Sequence, residues 1–521
     1  TVYADGAFAG FSDCPGQGGG TYNIETIGGR YGIAIDSVSR FPILVGCKFT
    51  GQTGACIGYR GSIQVPSLLV GCQLEPKGDM AVDFPGRAQY AGINIVDCRI
   101  SMAGGGVVAG TGKPENIHIE DTYVRGAKSI VSGGEPLPSA DGWNLIEQYS
   151  STTAQGVNLI NGVESSDEIT RWKAISDAPA FEALRERHYR RVPCFDEAGV
   201  VNVKDYGAKG DGETDDTEAF KKAIAAGDNV FVPKGNFKLT GTLALRPNTH
   251  LFGLSRTFSS IGGESQFGGN SGFRGNSGFG RGRGADQPGA GGGRQGAKGR
   301  SGAKGGERRG EGSGAGDEGE AFTIVTVDDP EAAPGFSHLG ARGNLQWRSG
   351  KGTSMLATGL PTSISGSGGG RFYGAMNMRR QLVIEGLTNP VSLYAFNVER
   401  VTANPQSIIR NCKHLRIYYF KVEAGTVSGP NAGDANTPGQ ISNSSDVRVY
   451  CMYGNVRKLE DRPMLEIVNS TDVAVSQLKA FQPGSFPHLI EVHGDQRYSI
   501  PSSKTVALFV RDAQAGQTAA R

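Results

Sequence analysis

Four segments of the N-terminal third align on one another: YGIAIDSVSRFPILVGCKF (31–49), ACIGYRGSIQVPSLLVGCQL (55–74), MAVDFPGRAQYAGINIVDCRI (80–100) and GVVAGTGKPENIHIEDTYV (106–124). Cys47, Cys72, Cys98 and Thr122 fall in equivalent places, at spacings of 25, 26 and 24 residues. A period near 25 built from short apolar runs and tight turns predicts a three-sided solenoid, in which each turn of chain is one rung and equivalent residues stack in columns. The cysteines then form a buried ladder of small apolar groups. The alternative is disulfide pairing. Neighbouring rungs lie about 4.8 Å apart, near the range of bridged Cα pairs, but a column rarely orients the side chains for a bond. No histidine recurs in the column to support a metal site. This array has no capping segment ahead of it, and an uncapped end would expose strand edges. With the start at Thr1 and no leader sequence, this points to further residues upstream.

A second constraint is Val201 to Gly253. A strand leads into an acidic glycine-rich loop, then a short helix. Asp215 reads as the helix N-cap, with Glu218 completing a capping box. Ala219, Phe220, Ala223 and Ile224 give that helix one apolar face. Short strands follow at Asn229–Pro233, Asn236–Leu239, Thr242–Leu245 and Thr249–Phe252, the pattern of a lid and first rung. The stretch DYGAKGDGETDDTEAF (205–220) resembles the opening signature of right-handed parallel β-helix proteins of the pectate-lyase superfamily, which includes polysaccharide-degrading enzymes and phage tailspikes. Asp205, Asp211, Asp215 and Asp216 invite a calcium reading, but they lack the ligand pattern of an EF-hand loop. Turn and cap chemistry is the favoured account.

The rungs resume downstream as LVIEGLTNPVSLYAFNVE (382–399), SIIRNCKHLRIYYFKVE (407–423), ISNSSDVRVYCMYGNV (441–456) and LEIVNSTDVAVSQLKAF (465–481), followed by a last rung at 489–512. Asn389, Asn411, Asn443 and Asn469 align as a turn ladder, and Tyr394, Tyr418 and Tyr450 as a stacked column. The fold class is therefore all-β: two right-handed parallel β-helices in tandem, joined by a helical connector, with a capping helix opening the second. The expected divisions are 1–165 for the first β-helix, 166–200 for the connector, 201–255 for the cap and first rung, 256–320 for an insert and 321–521 for the remainder. In the connector, Phe181, Leu184 and Tyr189 share a side, and His188 is expected on the solvated surface. In the insert, 24 of residues 261–320 are glycine, too few apolar groups remain to offset ordering entropy, and the segment is expected to be disordered. Its GFRGNSGFGRGRG tract also fits single-strand nucleic-acid binding, but seven acidic residues against nine basic ones argue for a flexible loop. The 81 glycines of the chain fit turn-rich β structure plus this insert.

Glu399 and Glu423, 24 residues apart, end the matching strands YAFNVE and YYFKVE, and Asn455 takes the same place in the next rung. Glycosidases use two carboxyl groups, about 5–5.5 Å apart for retention and about 6.5–9.5 Å for inversion. Crowding raises the pKa of one of two such carboxyls and keeps it protonated as an acid. The alternative is a pair of solvent-facing carboxylates neutralised by Arg400, Lys421 or Arg416. The order of β-helix, connector, second start and a rung of the form VSLYAFNVERV is similar to glycoside hydrolase family 55, the twin β-helix, inverting β-1,3-glucanases. That resemblance implies a general acid at Glu399, from a family segment of the form L-Y-G-x-x-S-E-H-H. Here Val398 replaces the serine, and Arg400 and Val401 replace the histidines. It carries over no water-activating base, and Glu423 is the geometric choice. Tyr394, Tyr418, Tyr419, Tyr453 and Asn455 are the candidate sugar-binding residues.

A formal charge of +2 gives no global field for nucleic acid or membrane, and no apolar run reaches transmembrane length. No cofactor or metal is expected. The expectation is an extracellular carbohydrate-active protein, secreted or at the cell surface as the resemblance implies. It would be an inverting glycoside hydrolase on a β-glucan-like polysaccharide, with a pectate-type lyase or a non-catalytic carbohydrate-binding adhesin as alternatives. A lyase would need an Arg or Lys base and usually calcium, and the second array shows no acidic column for that ion.

Overall fold

The computed structural model describes residues 1–262 and 322–513, apart from breaks at 15–18, 37–41, 62–64, 85–91, 113–115, 154, 342, 356–362, 375, 379–380, 400, 402, 425–435, 457–460 and 482. The backbone alone is described at Met376–Met378, Glu399, Glu423 and Ala424. The glycine-rich tract of the insert lies outside the described residues. Among the described residues, the architecture is an all-β solenoid with two α-helices, α1 (Phe181–His188) and α2 (Thr217–Ala226).

The strands pair in two sets. A 12-stranded and a 6-stranded sheet use residues up to Ile175, while sheets of 14, 4 and 10 strands use Gly156–Ser165 and the chain from Val201 to Arg511. Pairing within each stack is mainly parallel, one rung to the next. Apolar residues point inward in register, as in Leu44–Leu69–Ile95–Ile119 and Ile33–Ile57–Val82–Val108. The antiparallel strand Trp143–Thr152 covers the last rung of the first set by pairing with Asn116–Arg125. Strand Gly156–Ile160 then joins the second set by pairing with Thr505–Arg511.

The expected cysteine ladder is present. Cys47, Cys72 and Cys98 are fully buried, and all eight cysteines are free thiols. The Cys72 amide donates to Cys98 Sγ at 3.3 Å and the Cys98 amide to Thr122 Oγ1 at 3.3 Å. The second set repeats the device, with the Cys412 amide donating to Ser444 Oγ and the Ser444 amide to Ser470 Oγ, both at 3.1 Å. Each rung therefore satisfies a turn amide of the rung before it.

Two local expectations change. The helix α2 begins one residue later than expected, with Asp216 at the N-cap. Asp215 Oδ1 accepts from the Thr217 amide at 3.0 Å, and the Asp216 carboxylate accepts from the Lys209 and Gly210 amides at 2.6 and 3.0 Å. Glu218 pairs with Lys221 rather than closing a capping box. The role of α2 as a lid is as expected, because Phe220, Ala223 and Ile224 are buried on the core containing Val203, Val230 and Phe237. In the asparagine ladder, Gly386 takes the place expected of Asn389. Gly386, Asn411, Asn443 and Asn469 share left-handed backbone, and Asn389 instead donates to the Ser367 carbonyl at 2.7 Å.

The two sets lie side by side. Tyr373, Tyr394, Tyr418 and Tyr450 stack at centroid distances of 4.7, 4.7 and 5.2 Å down the outer face of the second set. Their rings belong to the same buried cluster as the outward-facing residues of the first set. Hydrogen bonds cross the seam, from Ser476 Oγ to Asn94 Oδ1 at 2.8 Å and from Gln477 Nε2 to the Ile93 carbonyl at 2.7 Å. Between the sets runs α1.

Candidate active site

The register places Glu399 opposite Glu423, and Glu423 opposite Asn455, in neighbouring strands, so the column read from the sequence exists in the backbone. The two glutamate side chains lie outside the described residues. The tyrosines are a correction. Tyr394 and Tyr419 are fully buried and Tyr453 is 4% exposed, because the first set of rungs covers the face on which they stand. A sugar ring cannot stack on them there. Of the four, Tyr418 lines a cavity among the described residues.

That cavity, about 250 Å³, lies in the seam and is walled by Asp97, Glu120, Asp121, Arg187, His188, Arg416, Tyr418, Arg448 and Tyr450 among others. A second cavity of about 390 Å³ adjoins it, with Glu147, Arg171 and Asp472 in its wall. Glu120, Asp121 and Arg448 line both, so this carboxylate pair stands at the junction of two spaces.

The pair is placed by a turn column. Asn23, Gly46, Gly71, Asp97 and Asp121 all adopt left-handed backbone one residue before the buried ladder position. Glycine and short polar side chains tolerate this conformation best. Over the two glycines lies α1: a Cβ on Gly71 would stand 2.6 Å from His188 Cδ2, and one on Gly46 3.0 Å from Arg185 Cγ. Asp97, the next member, meets the end of α1 directly. Its Oδ1 accepts from Arg187 and its Oδ2 from His188 Nε2, both at 2.8 Å. His188 is 5% exposed and its Nδ1 is 3.0 Å from the Tyr394 hydroxyl, which corrects the expectation of a solvated histidine. Arg371 holds the helix end, donating to the carbonyls of Arg187 at 2.8 Å and Glu186 at 3.2 Å. Asp121, one rung on, lines both cavities and is exposed.

The two adjacent carboxyls are in opposite electrostatic states. Burial works against the charge of Glu120, but the bond from His118 Nε2 at 3.1 Å, the Tyr450 hydroxyl at 2.9 Å and Arg448 at 3.8 Å hold it below the usual range. Asp121 is pushed up to about 6, by desolvation first and then by the charges of Glu120 and Asp97. The arginines of the wall are engaged: Arg416 with Asp446 at 2.6 Å and Arg448 with Asp472 at 2.7 Å. An ionised carboxylate beside one that keeps its proton near pH 6 is an acid-catalytic arrangement. Sequence reasoning missed it. The signal was present, since Gly46–Gly71–Asp97–Asp121 is the column immediately preceding the ladder of Cys47, Cys72, Cys98 and Thr122.

Residues 200–289 match the family described as Rhamnogalacturonase A/epimerase, pectate lyase-like. The pre-neck appendage protein of Bacillus phage phi29 is 52% identical over 56 residues, 11% of this chain and 7% of that protein. Alginate lyase 7 of Azotobacter vinelandii is 41% identical over 64 residues, 10% of this chain and 8% of that one. The match thus spans less than a tenth of the length of either relative. Among solved structures, ORF18 of Geobacillus virus E2 covers 71% of this chain and 70% of its own at 13% identity and a TM-score of 0.24, too slight a likeness to carry an argument. The pectate-lyase-like match at 200–289 thus falls on the cap and first rungs of the second set, within a mainly parallel β-solenoid.

Proposed function

We propose that the protein acts on a polysaccharide outside the cell, hydrolysing glycosidic bonds in the seam between its two sets of rungs. One observation carries this reading: Glu120 is held ionised beside an Asp121 whose pKa is raised to about 6, where two cavities meet. Asp121 donates a proton to the glycosidic oxygen as the bond to the anomeric carbon breaks. Glu120, ionised, stabilises the positive charge that develops on the sugar ring and takes the proton of the water that attacks the anomeric carbon, and exchange with solvent then returns the proton to Asp121. The space on either side of the pair suits a sugar residue on each side of the bond. The names of the relatives, an alginate lyase and phage appendage proteins, support a carbohydrate partner and an extracellular or surface setting. In this reading the two sets of rungs are tandem right-handed β-helices joined by 166–200, as in family 55, and the polymer is β-glucan-like.

A second reading keeps the chemistry and moves it to Glu399 as acid and Glu423 as base, favoured by their placement in register on neighbouring strands. Laminarin and polygalacturonate, assayed for reducing ends and for unsaturated products, separate the possibilities. The groove reading expects reducing ends from laminarin without unsaturated product, loss of turnover in Asp121→Asn and retention in Glu399→Gln. The opposite pattern in the two variants moves the site to the Glu399 column. Unsaturated products would make the protein a lyase, and sugar binding without turnover would make it an adhesin. Proton NMR of the first-formed anomer tests inversion.

A further inference from the structure

A third cavity, about 480 Å³, lies on the second set of rungs and shares no wall residue with the seam cavities. That volume falls in the range of small-molecule sites. It lies along one column of strand residues, Asn229–His250–Gly335–Thr353, paired rung to rung. Asn229, His250 and Thr353 of that column line it, together with the segment Arg190–Pro193 that follows α1. The next residue in the column is Arg371, which holds the end of α1.

The charges at this cavity do not balance. Asp228 is paired with Arg246 and Glu197 with Arg191, each at 2.6 Å. Arg190 is exposed and makes no ion pair among the described residues. Burial, with the charges of Arg190 and His338, holds the pKa of His250 down to about 4, so the imidazole is neutral and one positive charge is left over. Thr353 is 3% exposed, and its hydroxyl has no hydrogen-bond partner among the described residues. A buried hydroxyl without a partner is costly, and a ligand that supplies one relieves that cost. Gly335 leaves room for the His250 ring that lines the cavity, since a Cβ there would meet His250 Nδ1 at 2.3 Å.

We propose that this cavity binds an anionic sugar residue, with Arg190 taking its carboxylate, sulfate or phosphate and Thr353 and Asn229 bonding ring hydroxyls. The site is separate from the seam, so it holds an acidic sugar without cleaving it, apart from the neutral polymer proposed for the seam. Calorimetric titration of the full chain with glucuronate, glucose and inorganic phosphate tests this. Glucuronate is expected to bind at least tenfold more tightly than glucose, and Arg190→Gln to remove that difference. Thr353→Val is expected to weaken both sugars several-fold. The site is overturned if the wild-type protein does not bind glucuronate or if both variants bind it unchanged. Phosphate binding as tightly as glucuronate would overturn the sugar part.

Discussion

His188 Nε2 lies 2.8 Å from Asp97 Oδ2, while His188 Nδ1 lies 3.0 Å from the Tyr394 hydroxyl. The imidazole on α1 thereby joins a turn of one set of rungs to the tyrosine stack of the other. His188→Ala leaves the fully buried Tyr394 hydroxyl without this partner and opens a cavity. Unfolding by urea is expected to show a loss of about 2–4 kcal/mol. A variant as stable as the wild type would remove His188 from the account of how the sets are held.

The turn under α1 admits only glycine for two separable reasons. Gly71 has φ of +60° and a Cβ there would approach His188 to 2.6 Å, whereas Gly133 has φ of +77° and open space around it. Gly133→Ala is expected to cost about 1 kcal/mol for the backbone alone. Gly71→Ala is expected to cost at least about 2 kcal/mol, since the clash with α1 adds to the backbone term. Equal losses in thermal melts would show that α1 does not press on this column.

Asp121 carries a pH signature. Its folded value of about 6 lies above the ordinary 3.8, so the folded chain holds this proton more tightly than the unfolded one. That contribution to stability is complete below about pH 4 and is lost as pH rises through 6. Asp121→Asn should therefore melt progressively higher than the wild type between pH 4 and 7, with no further change above. The side chain is exposed, so the gain is at most about 1 kcal/mol. Parallel melting curves across that range would contradict a raised pKa. In activity, the alkaline limb near pH 6 should follow the same group.

Glu491 and Arg511 form a bidentate pair at 2.6 and 2.7 Å, with side chains 1% and 3% exposed. Arg511 ends the last strand of the second set, so the pair fixes the closing strand. Glu491→Gln is expected to cost about 3 kcal/mol. The double variant Glu491→Leu with Arg511→Met should recover most of that, because it leaves no buried charge unpaired. If the double variant is as unstable as the single, the pair contributes more than mutual neutralisation.

The columns were legible where a rung repeats its chemistry. Cys47, Cys72 and Cys98 announced a buried ladder, and Glu399, Glu423 and Asn455 were placed in register from their spacing alone. Asn389 was misplaced because a glycine, Gly386, does the same backbone work as asparagine in the left-handed turn. His188 was misread because the apolar side of the helix was drawn through Tyr189, whereas the residues buried on it are Phe181, Leu184 and His188.

What the sequence by itself determined is the solenoid: a period near 25, inward apolar columns and a capping helix at α2 are local or rung-to-rung properties, and they follow from strand pitch. What only the tertiary structure decided is which outer face is covered. Tyr394, Tyr418 and Tyr419 are chemically fit to stack on sugar, and became internal because another set of rungs lies on them. Glu120 and Asp121 became an electrostatically divided pair because Arg448 and Tyr450 reach them from segments up to 330 residues away. Contacts of that range depend on how two faces meet, and no periodicity within either face encodes it.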